Sequence, residues 1–266
     1  MRAHRPHGQG PRRRRSVAAA RAPAGGDRRR PRAPPARQLS RPPVRLRVYY
    51  GGTFDPVHVG HLAVAEAARA ALADLPGGVE LAFVPAADPP HRAAPGASAE
   101  QRATMLELAV ASHASLTVDR RELRRDTPSY TVDTLRELRA ELGLDAPLAW
   151  LLGADAFAGL PSWHHWQELF ALAHLIVAVR PGHDLAVLPP ALEAACAGRW
   201  LLAPDGLAMA PAGGVWRLPM PPHPASATAV RADLAAGRTS PWLPPAVSTY
   251  AAGQGLYRGR HPDPGV

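Results

Sequence analysis

Gly51-Gly52-Thr53-Phe54-Asp55-Pro56-Val57-His58-Val59-Gly60-His61-Leu62 is the stretch around which the rest of the chain is organised. Before it, Val44 to Tyr50 is short, rich in β-formers and reads as a strand; after it, Leu62 to Asp74 is an alanine-rich helical pattern. The unit is therefore a strand, a glycine turn and the start of a helix. Two adjacent glycines present no Cβ, so the backbone there can turn sharply and come close to a ligand. A helix N-terminus offers unpaired N–H groups and a partial positive charge, which suits phosphate. His58 and His61, three apart at that start, project on one side as donors to anionic oxygens. Singly, a Gly-Gly after a strand is usually only a turn and a histidine pair a surface feature, so the weight lies in the unbroken unit.

Moving outward, Val79 to Pro85 reads as a second strand buried on both faces, followed by a loop from Ala86 to Ala97. Strand, helix and strand imply a right-handed parallel crossover. Ligands of such sheets gather beyond the carboxyl ends of the strands, so 51–58 and 85–97 should share one site. In the second loop, Pro89 and Pro90 stiffen the chain and His91 and Arg92 offer two donors to an anion. A helix follows from Ala99 to His113, with Met105 and Leu106 facing the core and Arg102 at helical spacing with them. Leu116 to Asp119 is a third strand, and a helix opens at Thr127-Pro128-Ser129-Tyr130-Thr131, whose hydroxyls suit capping.

Pro147 to Leu152 is a fourth strand ending in Gly153-Ala154-Asp155. The glycine admits a nucleotide closely, while the aspartate suits a ribose hydroxyl or the cap of the next helix. In Leu160 to Trp166, Trp163 is a platform for a flat ring and Trp166 faces the core. A fifth strand runs from Ala173 to Val179, residues 183–214 are weakly patterned, and Val215 to Pro219 is the last strand. Ser226 then caps a helix that ends at Gly237, with Thr228 and Arg231 on one face.

Composition points elsewhere, but the tail accounts for it. The 266 residues carry 31 basic and 22 acidic side chains, a net of +9. Fifteen of the basic residues and one acid lie in 1–47, leaving 16 and 21, a net of −5 for the remainder. Residues 1–43, rich in Arg, Pro, Ala and Gly, cannot bury enough apolar surface to offset the entropy of ordering and are expected to be disordered. Nucleic acid is expected, if at all, only at that tail. One cysteine, Cys196, excludes an internal disulfide and a cysteine-based metal cluster and is consistent with a reducing cytoplasm. No apolar run reaches the ~20 residues of a membrane span.

In these motifs the chain resembles the nucleotidyltransferases that carry Gly-x-Phe-Asp-x-x-His-x-Gly-His. Within them it is most similar to the bacterial nicotinate-mononucleotide adenylyltransferases, over about residues 45–258. The resemblance implies a Rossmann-like, doubly wound parallel α/β domain over 44–260. It implies adenylyl transfer from ATP to nicotinate mononucleotide, giving nicotinate adenine dinucleotide and pyrophosphate. His58, His61 and Arg231 would serve catalysis. Gly51, Gly52, Thr53, Phe54, His91, Arg92, Gly153, Asp155, Ser226 and Thr228 would hold ATP and its phosphates. Ser129, Tyr130, Thr131 and Trp163 would receive the mononucleotide, with the Tyr-Thr backbone at the pyridine carboxylate and Trp163 stacked on the ring. Ala225 and Ala227 depart from the family's Ile-Ser-Ser-Thr-x-Ile-Arg, removing one hydroxyl while keeping the spacing of Ser226, Thr228 and Arg231. No carboxylate cluster forms a metal cage, which fits Mg²⁺ carried by ATP. The alternatives are a transferase using nicotinamide mononucleotide or pantetheine phosphate, and a non-catalytic nucleotide- or nucleic-acid-binding protein.

Overall fold

The computed structural model of the chain describes residues 45–88, 95–179, 185, 187–220 and 223–258. The tail 1–43 and the expected donors His91 and Arg92 lie outside them. The elements run β1 (Leu46–Gly52), α1 (Val59–Ala71), β2 (Val79–Pro85), α2 (Ala99–Val110), β3 (Leu116–Val118), α3 (Thr131–Leu142), β4 (Leu148–Gly153), α4 (Ala154–Ala158), α5 (Leu169–Leu172) and β5 (His174–Ala178). They continue through α6 (Pro190–Cys196), β6 (Trp200–Leu201), α7 (Gly206–Met209), β7 (Val215–Leu218), α8 (Ala227–Ala235) and α9 (Pro245–Gly253).

The seven strands form one parallel sheet in the order β3-β2-β1-β4-β5-β7-β6. Its central strands, β4 and β5, are almost wholly apolar because both faces are covered. On β4, Ala149 and Leu151 join the core with Val64, Ala68, Met105 and Leu106 of α1 and α2. Leu148, Trp150 and Leu152 point the other way, to Val132, Leu135 and Leu138 of α3. Chain order reverses between β1 and β4, which is where a doubly wound sheet opens a crevice.

The structure departs from the sequence reading at three places. A seventh strand, β6, and helices α6 and α7 lie inside 183–214, where short elements left no period to read. Helix α1 begins at Val59, three residues before the apolar pattern, because the histidines themselves cap it. Helix α3 begins at Thr131 instead of Thr127, with Tyr130 at the N-cap making no side-chain bond. Ser129 is diverted from capping: its Oγ accepts the N–H groups of Ala87 and Asp88 at 2.9 and 3.3 Å.

Candidate active site

A cavity of about 310 Å³ opens at the reversal point, beyond the carboxyl ends of β1 and β4. Gly51, Gly52 and Thr53 form one side of it, and Val84, Trp150 and Leu152 its floor. The two glycines are required for space. A Cβ on Gly51 would lie 2.0 Å from Trp150 Cζ2, and one on Gly52 would lie 2.8 Å from the Phe54 ring. Both are still paired to β2, and the sharp turn comes later, at Phe54, whose φ of 50° is left-handed.

Ser129, Tyr130, Thr131, Trp163 and Asp155 also line the cavity, so the sheet brings the expected mononucleotide residues and the expected ribose acid to one place. Gly153 ends β4 just before them with open space where a Cβ would stand. Trp163 is half-buried, while Trp166 packs into the core, as its spacing suggested. Of the two backbone donors expected at the pyridine carboxylate, that of Tyr130 is already given to Pro128 O at 2.9 Å.

Two lining residues carried no sequence signal. His164 stacks on Tyr130, with ring centroids 4.4 Å apart. Glu122, set among the arginines of 120–125, is 4% exposed. It accepts from Thr134 Oγ1 at 2.5 Å and from the Ser129 hydroxyl. Burial pushes its pKa up, opposed by the Thr134 bond and by Arg125, 3.5 Å away.

Phe54, His58, His61, Ser226, Thr228 and Arg231 do not line the cavity; they lie in and around the turn that forms its edge. His58 is buried and its Nδ1 accepts the Gly60 N–H at 3.1 Å, while His61 Nδ1 accepts the His58 N–H at 3.2 Å. This reciprocal cap commits both Nδ1 atoms as acceptors and leaves the ring protons on Nε2. A Cβ on Gly60 would lie 3.0 Å from the His58 ring and 3.3 Å from Ala225 Cβ, where the lead into α8 comes close. That approach sets the Ser226 cap, in which Oγ accepts the Ala229 N–H at 3.2 Å, near the start of α1. From α8, Arg231 Nη1 donates to Asp55 O at 2.6 Å and Nη2 reaches Thr228 Oγ1 at 3.5 Å.

Asp55 fastens the turn. Its carboxylate accepts Gly96 N–H at 2.8 Å, Ala97 N–H at 3.2 Å and the Tyr257 hydroxyl at 2.6 Å. Burial and the neighbouring Asp55 charge push the Tyr257 pKa far above its ordinary value, so it stays a donor. The Phe54 ring is locked against Tyr50, Phe83 and His61 at 5.0–5.5 Å.

A parallel sheet reversed at β1 and β4, with a histidine-capped helix after the first strand, defines a nucleotidyltransferase-type site. The cytidylyltransferase-like family matches residues 49–233, and the chain belongs to that family. Its relatives include a probable nicotinate-nucleotide adenylyltransferase of Stenotrophomonas maltophilia, 54% identical over 82% of this chain and 100% of that protein. A protein of the same name from Xylella fastidiosa is 49% identical over 80% of this chain and 96% of its own length. The nicotinic acid mononucleotide adenylyltransferase of Plasmodium falciparum, solved in complex with NaAD, shares the fold. It is 16% identical, with a TM-score of 0.59 over 80% of this chain and 97% of that one.

Proposed function

We propose that the chain transfers the adenylyl group of ATP to nicotinate mononucleotide, releasing pyrophosphate and forming nicotinate adenine dinucleotide. The observation that carries this reading is the junction of an aromatic-walled cavity, between Tyr130 and Trp163, with a phosphate-type helix start on one turn, Gly51 to Asp55. The names of relatives near 50% identity support the same activity.

A phosphomonoester's second pKa is about 6, so the acceptor's phosphate is already a nucleophile at neutral pH. One of its oxygens attacks the α-phosphorus of ATP, and the bond from that phosphorus to the bridging oxygen breaks. No general base is needed, and the protein's work is alignment and charge stabilisation. His58 and His61, donating through Nε2–H, and Arg231 face the charge that builds on the departing pyrophosphate, with Thr53, Ser226 and Thr228 beside them. His91 and Arg92 are assigned the same phosphates. Gly153 and Asp155 receive the nucleotide, and Trp163 stacks on the pyridine. Mg²⁺ enters as part of the Mg²⁺–ATP substrate, held mainly by the nucleotide's phosphates. Residues 44–260 make up the catalytic unit. No described helix is long and apolar enough to cross a membrane, and a cytoplasmic location fits the soluble substrates.

The test is to supply Mg²⁺–ATP labelled at the α-phosphate together with nicotinate mononucleotide. Label should pass into a dinucleotide, with unlabelled pyrophosphate released in equal amount; label retained in ATP or AMP would overturn the assignment.

A further inference from the structure

Arg102 is 1% exposed and is among the largest fully buried side chains of the protein. Its guanidinium bonds to backbone carbonyls alone: Nη1 to Thr53 O at 2.7 Å, Nη2 to Ala87 O at 3.0 Å and Nε to Ala97 O at 3.3 Å. No carboxylate among the described residues lies within ion-pair distance of it. Burial pulls its pKa down, with Asp55 the main opposing charge. A buried cation without an ionic partner is costly, and a core position on α2 would be filled more cheaply by Leu or Met. The three carbonyls come from three segments: the turn after β1, the exit of β2 and the lead into α2.

The Thr53 bond has a directional consequence. In a trans peptide the C=O and the following N–H point opposite ways, so holding Thr53 O toward Arg102 turns the Phe54 N–H away from it. Phe54 is the left-handed residue, and a strained non-glycine conformation persists only where its surroundings over-determine it. Arg102 fixes the peptide before Phe54, and Asp55, through Gly96, Ala97 and Tyr257, fixes the residue after it.

We propose that Arg102 is a positioning residue for adenylyl transfer. It holds the strained Thr53–Phe54 peptide, and with it the backbone donors of the phosphate turn, in the orientation that stabilises charge as pyrophosphate departs. This rests on the adenylyltransferase reading. Arg102 touches no substrate, so its loss should lower kcat and leave both KM values nearly unchanged, the signature of an interaction made only in the transition state.

The test compares the parent with Arg102→Met and Arg102→Lys, measuring kcat and both KM values per folded molecule, and amide exchange over residues 52–57. Lysine keeps the charge and the buried stem but cannot reach three carbonyls, and it decides the matter if the methionine variant does not fold. The expected result for Arg102→Lys is a fall of about 30-fold or more in kcat, KM values within threefold of the parent, and at least tenfold faster exchange across the turn. A kcat within threefold of the parent, a loss confined to KM, or unchanged exchange overturns the proposal. A parent that makes no dinucleotide sinks the activity assignment instead, while the exchange comparison still judges Arg102.

Discussion

His58 and His61 cap each other and stack, with ring centroids 3.8 Å apart and both Nδ1 atoms accepting backbone N–H groups. The bonds that end the helix thereby also fix the tautomer. With Nδ1 accepting, the ring proton of each is assigned to Nε2.

His61→Ala should accordingly lose two things that can be separated. Removing the cap costs about 1 kcal/mol of stability, and removing the donor costs about 10²–10³ in kcat. His61→Gln, with a side chain suited to the N3 position of a capping box, should recover more of the stability than of the activity. Thermal melts and steady-state kinetics on the three proteins check this. A folded His61→Ala protein turning over within threefold of the parent would remove His61 from catalysis.

The contact between Gly51 and Trp150 should show as a coupled pair. A Cβ on Gly51 overlaps the six-membered ring of the indole, so Gly51→Ala should cost about 1–3 kcal/mol by overpacking. Trp150→Phe removes the overlapping atoms. The double variant should be less destabilised than the sum of the singles by at least about 1 kcal/mol in denaturant titrations. Additive costs would mean that the two do not meet.

His174 should make stability pH-dependent from within the core. It is 1% exposed; Gly214 N–H donates to its Nδ1 at 2.9 Å, and Nε2 bonds to Ala210 O at 2.8 Å. A proton on Nδ1 would face that N–H, and burial lowers the pKa below the ordinary 6.5. The unfolded chain therefore binds the proton more readily than the folded one. This contribution is complete above about pH 6.5 and is lost as pH falls below it. Unfolding titrations between pH 8 and 5 should show the fall in the parent and a shallower one in His174→Gln. Identical slopes would assign the acid sensitivity to other groups.

Trp163 is tested by symmetry. Its ring offers a face to any pyridine and no group that tells acid from amide, so Trp163→Ala should raise KM for both mononucleotides together and leave their ratio of kcat/KM nearly unchanged. A changed ratio would make Trp163 a selectivity determinant.

The parallel sheet and the site's position at its carboxyl ends were legible because β2, β4 and β5 are largely apolar runs with few alternative readings. The Gly-Gly and His-x-Gly-His spacings then mark the end of β1. What the sequence concealed is of another kind. Arg102 and Glu122 are charged residues whose burial depends on carbonyls and hydroxyls far along the chain, and no local pattern announces such partners. Asp55 was visible as part of a motif, but its grip on Tyr257, 202 residues away, was not. Ser129 was read as part of a helix cap and instead ties the β2 exit to α3, a choice that only the folded backbone makes available.

Acceptor choice tests the central claim most directly. The acid and amide mononucleotides differ only where the pyridine substituent meets the protein. In the proposed binding mode that substituent meets the start of α3, which presents first-turn amides and a partial positive charge. The measurement is kcat/KM for pyrophosphate release from Mg²⁺–ATP with nicotinate mononucleotide, nicotinamide mononucleotide and pantetheine phosphate. A preference for the acid over the amide of at least about 10²-fold is expected, with no measurable use of the pantetheine ester. Equal kcat/KM for the acid and the amide would contradict it.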